Sequence, residues 1–90
     1  MRYEIVIIFN KNISRRTLYF VTMQILFNIK FNGGIIYNLD YKSTAPLIRK
    51  QKKKGIVSIL CECSPSVAKE VNTNIKSSYY IHKGMVLLLK

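Results

Sequence analysis

Apolar positions recur along this chain at two spacings, every second residue and every third or fourth, in alternating blocks. Tyr3, Ile5, Ile7 and Phe9 fall on one side of an extended segment, and Glu4, Val6 and Ile8 on the other. The run is β-branched, aromatic and apolar on both sides, which predicts an interior strand over residues 3–9. Asn10, Lys11 and Asn12 interrupt it. Ser14 offers a capping hydroxyl, and Leu18, Val21, Ile25 and Ile29 follow at helical spacing. This predicts a helix to about Asn32, with Gly33 as its left-handed stop. Its apolar surface also takes in Tyr19, Phe20, Phe27 and Phe31, so core, sheet edge or a partner must share it.

The second strand is expected over residues 34–41, where Ile35, Tyr37, Leu39 and Tyr41 alternate with Ile36, Asn38 and Asp40. A third is expected over residues 56–63. Val57, Ile59, Cys61 and Cys63 form its apolar side and Ser58 and Glu62 mark the other, as in a half-buried antiparallel strand. Ser64 followed by Pro65 is a strong helix start. Val67, Val71 and Ile75, with Ala68 beside them, give that helix one apolar side, and it ends near residues 76–78. Residues 79–83 read as a connector and residues 85–89 as the last strand.

The order is β-α-β-β-α-β. It predicts an α+β, ferredoxin-like split βαβ fold: a four-stranded antiparallel sheet with two helices on one face. Right-handed crossovers favour the sheet order 4-1-3-2. Ninety residues make one domain, residues 1–90, with a basic connection between the second and third strands at about 42–55. A domain this small buries only roughly 60–65 % of its unfolded surface, which leaves room for a partner to add to its stability.

Charge sharpens the picture. Fifteen Lys and Arg residues face only Glu4, Asp40, Glu62 and Glu70, a formal net charge of +11. Such an excess favours a polyanion, with nucleic acid ahead of a membrane surface. The most apolar region, residues 18–31, is broken by Thr22, Gln24, Asn28 and Lys30 and falls short of a membrane span. No cleaved signal is expected ahead of Tyr3. Six of the fifteen cations, Lys42, Arg49, Lys50, Lys52, Lys53 and Lys54, crowd the connection between two paired strands. They are the leading phosphate-binding candidates, with Arg2 and Lys83 at strand ends in the second line. Within the connection, residues 45–49 are expected to extend the strand pair, and residues 50–54 to form the bend that meets phosphate. Exposed parts of the sheet, or the edge formed by Ile36, Asn38 and Asp40, are the expected seat of a protein partner.

Catalytic chemistry is not expected. His82 has no acid near it in sequence to orient it. Cys61 and Cys63 supply two metal ligands where a structural zinc site takes four, so they are expected as reduced core thiols in an intracellular setting. Gly33 and Gly34 precede a strand, not a helix, and do not make a phosphate loop. An acylphosphatase-like enzyme on this fold would need an Arg-bearing cradle where residues 10–13 stand. No cofactor and no metal are expected. An RNA-recognition motif would place aromatics on the open face of the third strand, where Ile56, Ser58 and Leu60 stand instead.

The succession of segments resembles a known family. Met1-Arg2-Tyr3-Glu4 opens straight into an apolar strand. A helix ends in Gly33-Gly34, followed by Ile35-Ile36-Tyr37-Asn38-Leu39-Asp40-Tyr41. Ala45-Pro46-Leu47-Ile48-Arg49, a Lys-rich bend and Gly55 come next. This resembles the bacterial-type small-subunit ribosomal protein number six family, over nearly the whole chain. The resemblance implies a structural constituent of the small ribosomal subunit that binds central-domain (platform) rRNA. It also implies small-subunit ribosomal protein number eighteen as partner, among other small-subunit proteins. The charge and the abundance of A/T-codon residues lean towards a mitochondrial ribosome, with a bacterial cytoplasmic or plastid ribosome as the alternative. The rival reading is a non-ribosomal ferredoxin-like interaction or regulatory domain that dimerises through its sheet.

Overall fold

Where the apolar alternation is strict, the chain pairs as strands. Where apolar residues return every three or four positions behind a capping serine, it coils. The computed structural model describes residues 1–11, 13–43 and 55–89. The elements are β1 (Arg2–Phe9), α1 (Arg15–Phe31), β2 (Ile35–Ser43), β3 (Gly55–Glu62), α2 (Pro65–Ser77) and β4 (Ile81–Leu89). All strand pairs are antiparallel and the sheet order is β2-β3-β1-β4, the expected 4-1-3-2 read from the other edge. The fold is ferredoxin-like.

Both helices begin as their sequences require. The Ser14 hydroxyl accepts from the Thr17 N–H at 3.2 Å, and the Ser64 hydroxyl from the Val67 N–H at 3.3 Å. The core is one cluster. Tyr3, Ile5, Ile7 and Phe9 of β1 lie beside Val57, Ile59 and Cys61 of β3. Leu18, Val21, Ile25 and Ile29 of α1 close over them, with Val67, Ala68, Val71 and Ile75 of α2. Each large aliphatic side chain buried there contributes roughly 1.5–3 kcal/mol. Thr22 is buried too, and its hydroxyl donates to the Leu18 carbonyl at 2.8 Å.

The structure departs from expectation in three places. β4 begins at Ile81, not at residue 85, because β1 runs to Phe9 and offers it a pairing edge. A bulge at His82 absorbs the misfit: Phe9 pairs with Ile81 and Ile8 with Lys83. The polar His82-Lys83-Gly84 segment hid this strand, since those residues suit an exposed edge as well as a loop. Lys42, Ser43 and Gly55 are strand residues, with Lys42 opposite Ile56 and Ser43 opposite Gly55. The connection between β2 and β3 is therefore shorter than residues 42–55.

The third difference is in β2. Ile36 pairs with Cys61 and Asn38 with Leu60, so Tyr37 is an extra residue that reverses the alternation. Ile36, Asn38 and Asp40 consequently do not share a side. Ile36 packs against the core, whereas Asn38 and Asp40 lie opposite Leu60 and Ser58 on the open face. All three do belong to β2, a true edge of the sheet.

Candidate nucleic-acid interface

Antiparallel pairing decides which ends of the elements meet. β1 finishes at Phe9, β2 at Ser43 and α2 at Ser77, while α1, β3 and β4 start at Arg15, Gly55 and Ile81. The registers Ile8 to Ile56, Ile8 to Lys83 and Ser43 to Gly55 bring all these strand ends to one pole of the molecule. Two turns at this pole are tied together. The Asn10 backbone N–H donates to the Tyr80 carbonyl at 3.0 Å, and its side-chain amide to the Tyr79 carbonyl at 2.7 Å.

Cations scattered through the sequence gather here. Lys11, Arg15, Arg16, Lys76 and Lys83 are exposed, on the β1–α1 turn, the first turn of α1, the last turn of α2 and the start of β4. Lys42 sits near the end of β2, opposite Ile56. Arg49, Lys50, Lys52, Lys53 and Lys54 lie outside the described residues; β2 ends at Ser43 and β3 begins at Gly55 at this pole. The first turn of α1 contains no acid to offset Arg15 and Arg16, and its N-terminal N–H groups add partial positive charge. Beside it lies a cleft of about 680 Å³, lined by Lys11, Ser14, Thr17, Tyr79, Tyr80 and His82 among others. Tyr79 is 86 % exposed there, an aromatic face next to cations.

The opposite pole is different. Arg2 pairs with Glu62 in the sheet; its Nε lies 3.9 Å from the Glu62 carboxylate and its guanidinium 5.1 Å over the Tyr37 ring. Glu4 is in the same half and accepts from the Ser58 hydroxyl at 3.5 Å. The structure thus brings Lys42 and Lys83 together with the ends of the basic connection, and sets Arg2 apart beside an acid. Lys11, Arg15, Arg16 and Lys76 were missed in the sequence. They form no run, and only the strand order places them together. The signal available was their position: each flanks an element end that an antiparallel β-α-β-β-α-β order sends to the pole where the second strand meets the third.

The open face of the sheet mixes apolar residues with Glu4 and Ser58. Val6, Ile8, Ile56 and Leu60 are half-buried there, and Met85, Leu87 and Leu89 extend it along β4. The central strands present no aromatic on this face, so the surface cannot stack bases as an RNA-recognition motif does. Cys61 and Cys63 are free, buried thiols. Burial, reinforced by the neighbouring Cys63, pushes the Cys61 thiol up to about 11, and burial also raises Cys63. Such thiols are poor nucleophiles. Among the described residues no group of His, Cys, Asp and Glu is placed to hold a metal ion, and no helix is long and apolar enough to cross a membrane.

No protein-family model and no curated protein sequence matches this chain. The likeness to known proteins is in the fold: over 96 % of its length the chain superposes on 84 % of 30S ribosomal protein S6 from Thermotoga maritima, with a TM-score of 0.76 at 16 % sequence identity.

Proposed function

We propose that this chain is a non-catalytic RNA-binding protein of a small ribosomal subunit, holding central-domain rRNA on the platform beside other small-subunit proteins. The observation that carries this reading is the gathering of cations at one pole of an S6-like fold, on elements far apart in sequence. Lys11, Arg15, Arg16, Lys42, Lys76 and Lys83 stand at the pole where β2 ends at Ser43 and β3 begins at Gly55, and together with Arg49, Lys50, Lys52, Lys53 and Lys54 they neutralise phosphates without reading bases. Arg2 is spent on Glu62 and takes a lesser part. The open face and the β2 edge receive the protein partner, small-subunit ribosomal protein number eighteen. Asn38 and Asp40 contribute from the open face, and Ile36 supports the edge from behind. The compartment is the mitochondrial ribosome, with a bacterial or plastid ribosome as the alternative.

The test is salt dependence. Replacing Lys52, Lys53 and Lys54 with Ala makes the slope of log affinity for rRNA against log salt shallower by about 2–3, since each phosphate contact contributes just under one unit. An unchanged slope removes the basic connection from the interface. The rival reading, a domain that dimerises through its sheet, finds support in the apolar residues of the open face and is opposed by the +11 charge. Sedimentation separates the two: an RNA-free homodimer supports the rival, and RNase-sensitive co-sedimentation with the small subunit supports the proposal.

A further inference from the structure

One surface lies away from the sheet and meets the basic pole only at Arg16. On the outer side of α1, Phe20, Met23, Phe27 and Phe31 are 62 %, 59 %, 68 % and 79 % exposed. At 100° per residue these four fall within about 80° of the helix circumference, opposite the buried Leu18, Ile25 and Ile29. They form a narrow ridge about 16 Å long, or three turns. The Phe27 and Phe31 rings stack at 5.9 Å, and Gln24 and Asn28 line the shallow groove along one flank. Core packing requires none of these four side chains.

We infer that this ridge docks an amphipathic helix of another protein, three to four turns long, with an apolar seam and carboxylates towards its ends. The length follows from the ridge and the seam from its periodicity. The charge follows from α1 itself: Arg16 stands at one end of the ridge and Lys30 at the other, and the helix contains no acid. A second copy of the chain is a poor occupant. Two α1 helices laid together bring like charges to both ends, on molecules that each carry +11. RNA is a poor occupant as well, because the cations stand only at the ends and the three turns between them offer Phe, Met, Gln and Asn to a run of phosphates. The inference stands whether or not the basic pole binds RNA.

The probe is a synthetic helical peptide of about 18 residues with Leu along one seam and Glu flanking both its ends, set against a counterpart with Lys for Glu. Binding is read by fluorescence anisotropy, and its location by amide chemical shifts. The Glu peptide is expected to shift α1 resonances and to bind at least about 10-fold tighter than the Lys peptide. Phe27→Asp lowers its affinity about 10-fold or more. Arg16→Glu combined with Lys30→Glu reverses the preference between peptides, a readout that does not depend on how well Phe27→Asp folds. In Phe27→Asp the salt slope of rRNA binding stays as in the parent, which keeps this test apart from that of the RNA reading. The inference is overturned by equal affinity for the two peptides, by shifts that map to the sheet, or by an unaltered Phe27→Asp. It is also overturned if Phe27→Asp abolishes concentration-dependent dimerisation, binding to polyuridylate, or binding to anionic phospholipid vesicles.

Discussion

Single residues fix how closely the layers approach. Gly84 lies in the interior of β4, where glycine ordinarily weakens a strand. A Cβ built there runs into the Ile75 side chain of α2, so glycine is what lets the helix settle on the sheet. Gly84→Ala is expected to destabilise the protein by about 1–3 kcal/mol, read as a lower denaturant midpoint at unchanged slope. Cys61 gives a second prediction, through pH. Its thiol is raised from the ordinary 9.0 to about 11 by burial first and by Cys63 second. The folded chain therefore holds this proton more tightly than the unfolded one. The associated stability is complete below pH 9 and is lost as pH rises through 11, about 2–3 kcal/mol in all. Cys61→Ala removes that dependence, so the stability difference between parent and variant narrows by that amount across the window. A gap that stays constant with pH would show that Cys61 ionises as freely when folded as when unfolded.

At the scale of elements, most of the fold was legible because capping and periodicity agree. Ser64 caps α2 and Pro65 opens it, and the four apolar residues read from the sequence are the four it buries. Ser64→Ala is expected to cost about 1 kcal/mol and to lower the melting temperature by roughly 4–8 °C, measured by circular dichroism. What stayed hidden shares one cause. The bulges at Tyr37 and His82 are set by pairing with neighbouring strands, and local alternation carries no mark of an extra residue. At Tyr37 the consequence reached the candidate site, since one inserted residue moved Ile36 to the core side and left Asn38 and Asp40 outside. At His82 it concealed four residues of strand and moved Lys83 from a presumed strand end into a paired position beside Ile8. The outer ridge of α1 was visible in composition as surplus aromatics, and only the helix geometry aligned them into one stripe.

Among the described residues the charge is polarised, and this could not be read from the linear charge run alone. The run marked one place, between the second and third strands. Antiparallel topology added the β1–α1 turn, the start of α1, the end of α2 and the start of β4 to the same pole, while Glu4 and Glu62 lie in the half that holds Arg2. A field of this kind orients an approaching polyanion before contact and strengthens as salt is lowered. Its test compares cations by pole and not by place in the sequence. Lys11→Ala, Arg15→Ala and Arg16→Ala together should make the salt slope of rRNA affinity shallower by about 2–3, the same change as is expected for three lysines of the basic connection. Arg2→Ala should leave it nearly unchanged, because that guanidinium already faces the Glu62 carboxylate and the Tyr37 ring. If Arg2→Ala flattens the slope as much per charge as the triple variant, phosphates meet both ends of the sheet, and the bound RNA spans the molecule instead of capping one pole.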